Sequence, residues 1–133
     1  MLDLIAMKEG MKILMAYDGS THADNAMKEA VDVAKKFKGS VEVIHCAWEE
    51  TQTESQEILE KHKQMLDDVG VKYKLREERT ERPGARLVKI ANSEEFHLVV
   101  MGTRGLGAAR SIMLGSVSSH VIENVDMPVM VVK

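Results

Sequence analysis

Gly102, Gly105 and the pair Gly115-Ser116 are spaced G-x2-G-x9-G-S within GTRGLGAARSIMLGS (residues 102–116), directly after the apolar run HLVVM. Glycine loses more backbone freedom on folding than any other residue, so such a cluster needs a reason. One reason is a phosphate group. Gly102 and Gly105 would leave a strand end without Cβ atoms, so that an anion reaches main-chain N–H groups. Gly115-Ser116 would open a helix, whose unpaired N–H groups and positive dipole end attract the same anion. Ser116 can cap that helix or donate to the phosphate, Ser118 can do the latter, and Arg104 is the charge set between the glycines. The other reason is a plain connection, with one glycine closing an element and a serine capping the next. Spacing alone leaves both readings open.

Two familiar phosphate fingerprints do not fit. A GxxxxGK[ST] loop needs a lysine after its second glycine, and Gly115 is followed by Ser116. A dinucleotide fingerprint should follow the first strand, where the chain reads DGSTHAD, and Gly105-Leu106-Gly107 has Arg110 where a third glycine belongs.

The elements that must position these residues follow from hydrophobic patterning. Apolar runs predict strands over Lys12–Tyr17, Val41–Trp48, Val71–Leu75, His97–Met101 and Pro128–Val132. Several are nearly continuous rather than alternating, as expected of strands buried on both faces of a parallel sheet. Helical spacing appears between them: Ala23 to Phe37 behind Ser20 or Thr21, about Glu54 to Val69 before Gly70, a stretch from Pro83 carrying Leu87 and Ile90, and a last helix with Val117, Val121, Ile122 and Val125 on one side. The order βαβαβαβαβ predicts a single-domain α/β fold, an open parallel sheet with helices on both faces. Arg76–Pro83 (REERTERP) reads as a solvated loop. In such sheets ligands bind beyond the carboxyl ends of the strands, where strand order reverses. Asp18, Cys46 and Met101-Gly102 stand at such ends. Asp18 reads there as a ligand contact ahead of a plain turn residue. Cys46 reads as a small buried side chain lending its backbone, His45 as a satisfied core histidine, and Trp48 as a packing residue.

The chain has 133 residues and a net charge of −3, with no basic field to attract nucleic acid and no apolar run long enough to cross a membrane. One cysteine excludes an internal disulfide and a cysteine-based zinc site, and it suits a reducing cytoplasm. Residues 1–10 read as an extension ahead of the domain at 11–133, with a start at Met11 as the alternative.

These residues carry a resemblance. MGTRG, nine residues ending in ML, and GSVSSHVIENVDMPVMVVK are similar to the C-terminal signature of the universal stress protein family, in its nucleotide-binding branch. KILMAYDGS resembles that family's first strand and turn, and VEVIHCAW its second strand, so the likeness covers residues 11–133. It implies a five-stranded sheet ordered 3-2-1-4-5, with Asp18 and the glycine loop facing each other across the reversal. It also implies ATP, or ADP or AMP, in that crevice. Adenine would meet the backbone near Cys46 and the residues beside Asp18, Ala16 and Tyr17. Ribose would meet Asp18 or groups near Met101 and Gly102, and phosphates would meet Gly105, Gly115, Ser116, Val117 and Ser118. Magnesium would be held through phosphate oxygens. The resemblance further implies a homodimer through the last strand, Pro128, Val129, Met130, Val131 and Val132. Two positions depart from the pattern: Ala16 stands where many members have proline, and His97 where aspartate is common.

A cytoplasmic nucleotide-dependent stress-response switch is the function these features favour. No catalytic set is evident; slow ATP hydrolysis or autophosphorylation at Ser116 or Ser118 is the enzyme alternative, and an interaction module with an empty pocket is the non-enzyme one. A response-regulator receiver would need an acidic cluster after the first strand, and a flavodoxin more than 4% aromatic residues.

Overall fold

The computed structural model describes residues 10–103 and 114–133. Five strands, β1 (Lys12–Ala16), β2 (Ser40–Ala47), β3 (Lys72–Arg79), β4 (Leu98–Gly102) and β5 (Val129–Val132), form one parallel sheet ordered β3-β2-β1-β4-β5. This is the open α/β sheet that the sequence pattern and the resemblance predict. β1 and β4 lie inside it with both faces covered, which is why KILMA and LVVMG are continuous in apolar residues.

Helices α1 (Thr21–Lys36), α2 (Gln52–Glu60) and α3 (Lys63–Val69) cover one face, and α4 (Pro83–Ser93) and α5 (Ser116–Asn124) the other. Strand residues alternate between the two layers: Ile13 and Met15 pack with Ala26, Met27 and Ala30 of α1, while Leu14 packs with Leu87, Ile90 and Val121. The Ser20 hydroxyl caps α1 by accepting from Ala23 N–H at 3.1 Å. Thr51 and Glu54 form a reciprocal capping box on α2.

Three expectations need correction. The helix expected from Glu54 to Val69 is two helices, broken at Lys61 and His62. The break turns both side chains to one carboxylate on α1: Lys61 Nζ lies 2.7 Å from Asp24 Oδ2, and His62 Nε2 3.0 Å from Asp24 Oδ1. The first half of the segment expected to be a solvated loop, Arg76–Arg79, is instead the end of β3, pairing in register with Ile44 to Ala47, while Thr80–Arg82 do connect β3 to the next helix. The charges of this strand end alternate faces and find partners on both. In the last helix Val121 is fully buried, but Ile122, expected on the same apolar side, is exposed. Among the described residues no helix is long and apolar enough to cross a membrane.

Candidate functional site

Strand order reverses between β1 and β4, because the chain runs β1, β2, β3 outward and then crosses to the other side of β1. Ala16 and Met101 are register partners at the carboxyl ends of these two strands, so Tyr17-Asp18-Gly19 and Gly102-Thr103 leave the sheet side by side. Cys46 lies two residues beyond Ile44, the β2 partner of Ala16. Arg104 and Gly105 lie outside the described residues.

The turn after β1 is built locally. Asp18 Oδ1 accepts from Ser20 N–H at 2.9 Å, and Gly19 adopts φ +83°, a left-handed conformation that glycine takes without a Cβ penalty. Across the crevice, Gly102 is glycine for a reason different from an open phosphate approach. A Cβ there would lie 2.8 Å from His22 Cβ and 2.9 Å from Ala23 N, so its bareness lets the first turn of α1 press on the end of β4.

The start of α5 is fastened to that same strand end. Ser118 is buried, and its hydroxyl donates to Gly102 O at 3.1 Å and Thr103 O at 3.0 Å. Gly115 N–H donates to Thr103 O at 2.9 Å. The Ser118 hydroxyl thus ties the helix to the sheet instead of pointing outward to a phosphate. Ser119 N–H makes the first intrahelical bond, to Gly115 O, and no side chain among the described residues caps the helix. The N–H groups of Ser116, Val117 and Ser118 are therefore the ones a helix cannot satisfy within itself. Ser116 is exposed, whereas the Val117 side chain packs into the core beneath.

Tyr17 is placed differently from its expected role. Its ring is buried edge-on to His62, and its hydroxyl donates to Asp24 Oδ1. Burial, then that bond to Asp24, raises the phenol well above its ordinary range. Its main chain is engaged as well: Tyr17 N–H donates to Ile44 O at 3.0 Å, and Tyr17 O lies 2.9 Å from His45 Nδ1. Burial would raise the Asp24 carboxyl, but hydrogen bonds from Lys61, Tyr17 and His62 outweigh it and hold the group at about 2. A carboxyl lowered on folding contributes stability that is complete above its unfolded value near 4 and lost as pH falls toward 2. Asp24→Asn is therefore expected to cost about 1 kcal/mol near neutrality, allowing for the solvent around Lys61. In urea titrations that deficit should vanish by about pH 2; a deficit independent of pH would remove the charge from the account.

The sequence pattern did not single out His22 and Thr103, which the fold brings together at the mouth of the crevice, with Thr103 Oγ1 2.9 Å from His22 Nδ1. They stand 81 residues apart; Thr103 lies within MGTRG, but nothing in the sequence pairs it with His22. Trp48, expected to pack, is 49% exposed. It lines an open recess of about 600 Å³ with Cys46, Glu49, Glu50, Glu81 and Pro83, next to the crevice on the β2–β3 side. Cys46 is half-buried, and burial, then Glu78, pushes its thiol up to about 11, so it is no reactive thiolate. Among the described residues no group of three His, Cys, Asp or Glu side chains could hold a metal ion.

Known proteins with this architecture share more than the fold. A family model described as the universal stress protein family matches residues 11–133. A universal stress protein of Methanocaldococcus jannaschii is 35% identical, over 92% of this chain and 81% of its own length. Among solved structures, hypothetical protein MJ0577 is 31% identical with a TM-score of 0.78, covering 92% of this chain and 95% of that one. Universal stress protein UspA from Lactobacillus plantarum superimposes with a TM-score of 0.82 over 94% of this chain and 99% of its own, at 19% identity. Three further structures with this fold carry adenine nucleotides: cAMP in one, dAMP in a protein from Archaeoglobus fulgidus, and AMP in one from Arabidopsis thaliana, at 18%, 23% and 16% identity. The glycine spacing, the strand order and a family match spanning nearly the whole sequence converge on one conclusion: this chain belongs to the universal stress protein family.

Proposed function

We propose that this protein binds an adenine nucleotide at the β1–β4 reversal and acts in the cytoplasm as a nucleotide-dependent stress-response switch. The observation that carries the reading is the start of α5. Its first N–H groups have no intrahelical partners, no side chain among the described residues caps them, and Ser118 and Gly115 fix them beside the end of β4. A helix N-terminus fastened to the sheet at a switch point suits phosphate oxygens. Asp18 stands across from it, with one carboxylate oxygen bonded to Ser20 N–H, and is suited to a ribose hydroxyl. The nucleotides bound by structural relatives support the ligand class. The main chain at Ala16, Cys46 and Met101 would border the base and sugar. Phosphates would meet the N–H groups of Ser116, Val117 and Ser118, together with Gly105 and Arg104. Magnesium would be carried by the phosphates, without a protein cage.

The test is to denature purified protein, identify any released nucleotide, and titrate AMP and ATP into nucleotide-free protein by calorimetry. Wild type is expected to bind, and Gly115→Val to weaken binding by about tenfold or more, because a branched side chain at the helix start crowds the phosphate. Neither release nor binding by wild type would end the proposal.

We also propose that the protein is a homodimer through Pro128–Val132. β5 is an edge strand of the described sheet, and Val131 is exposed on it. Sedimentation at micromolar concentration is expected to give the dimer mass, and Val131→Lys the monomer. A monomeric wild type would refute the assignment.

A further inference from the structure

His45 lies in the middle of the molecule with 2% of its side chain exposed, and its two ring nitrogens face opposite walls of the candidate site. Nδ1 is 2.9 Å from Tyr17 O, in the turn after β1. A carbonyl can only accept, so Nδ1 carries the hydrogen. Nε2 lies 3.2 Å from Glu50 Oε1, in the loop between β2 and α2, without hydrogen-bond geometry. In the neutral ring this nitrogen is a bare lone pair turned toward a carboxylate, a buried acceptor facing an acceptor. In the protonated ring it is a donor facing an anion. One proton therefore decides whether these two walls attract or repel.

The groups around the ring are mostly acceptors and anions. Glu50 Oε2 accepts from Trp48 N–H at 3.0 Å, and Arg79 Nη1 donates to Glu50 O at 2.6 Å. Main-chain N–H groups, first that of Glu50 itself and then that of Trp48, hold the Glu50 carboxyl below its usual range against the opposing effect of burial. From β3, Glu77 adds a second carboxylate, which Arg79 Nε pairs at 3.1 Å. From α2, the buried Ser55 hydroxyl contributes to holding Glu77 low, without a hydrogen bond of good geometry. From the turn after β1 the Tyr17 carbonyl faces the ring, and the Tyr17 hydroxyl is turned away to Asp24.

We propose that His45 is a positioning residue: protonated, it clamps the Trp48–Glu50 loop to the turn that carries Asp18, and neutral, it releases that loop. The clamp would make the base-side wall of the site tighter in mildly acidic conditions. Its effect on ligand affinity rests on the nucleotide reading; the clamp itself does not.

Trp48 is the only tryptophan in the chain and sits on the clamped loop, so it reports directly. Its emission is to be followed between about pH 5 and 8 in nucleotide-free wild type, H45Q and E50Q. The expected result is a single transition in wild type that both variants lose. No transition in wild type, or the same transition in both variants, overturns the proposal. E50Q changes a partly exposed side chain, so it keeps the comparison sound if H45Q fails to fold. Nitrogen-15 spectra of the histidine ring in wild type supply a second readout. Nδ1 should carry a hydrogen throughout and Nε2 should gain one along the same transition; a neutral ring protonated only at Nε2 overturns the assignment. Because no nucleotide is present, a protein that fails to bind AMP leaves this result standing.

Discussion

Replacing Gly39 with alanine is expected to destabilise the protein by about 3 kcal/mol and to lower its melting temperature by about 10 °C. The added Cβ would fall 2.2 Å from the Met11 carbonyl oxygen and 3.1 Å from its carbon. That oxygen accepts from Ser40 N–H at 2.9 Å, where β2 starts alongside β1, and Gly39 N–H donates to Ala34 O at 2.8 Å at the end of α1. The peptide is thus held from both sides. The closest neighbour is main chain, so the start of the sheet must shift or a hydrogen bond must break. Gly70→Ala provides the comparison. Gly70 has φ +72°, but a Cβ there meets nothing within 4 Å, so only the left-handed backbone cost of about 1 kcal/mol applies. Urea and thermal denaturation of both variants decide the matter. A Gly39→Ala loss no larger than that of Gly70→Ala would mean that the strand start yields easily.

The second large effect is expected at Arg76, where one guanidinium holds three carboxylates. Nη1 lies 3.0 Å from Glu42 Oε2 and 2.8 Å from Glu94 Oε1, and Nε lies 3.0 Å from Glu78 Oε2. Glu42 is buried within β2, whereas Glu78 is also held by Arg86 and Glu94 is partly exposed. These carboxylates raise the guanidinium further above its ordinary range, the Glu94 bond contributing most. Arg76→Met would leave Glu42 as a buried charge without its partner, and a loss of about 2–3 kcal/mol is expected, below that of a fully buried pair because solvent reaches the arginine. Adding Glu42→Gln to Arg76→Met should recover part of it, since the unpaired charge is then gone. A double mutant as unstable as the sum of the two single mutants would show that the pair is not coupled.

Arg76 also shows where the sequence stops being legible. Alternating signs in REER look like a solvated loop because nothing nearby in the chain suggests an opposite charge that faces them. Those charges are Glu42 and Glu94, supplied by β2 and by the end of α4, and pairing with β2 brings them to Arg76. The helix break at Lys61-His62 has the same origin. Local spacing favours one continuous helix, and the reason to interrupt it, Asp24, lies 37 residues away in sequence from Lys61. Tyr17 follows the same logic, its hydroxyl drawn to Asp24 and away from the crevice.

What the residues determined by themselves were the strands, the α/β alternation, the capped start of α1 and the family. Each depends on short-range periodicity, turn chemistry or a local motif, and all of these are written within a few residues of one another. The strand order did not follow from periodicity; it came with the resemblance and is realised in the sheet. Tertiary structure alone decided which polar groups meet. It assigned Gly102 to helix packing, turned Ser118 inward as a fastener, joined His22 to Thr103, and set His45 between Tyr17 and Glu50. The physical reason is that hydrogen bonds and ion pairs act over about 3 Å, and their partners come from segments that only folding brings together.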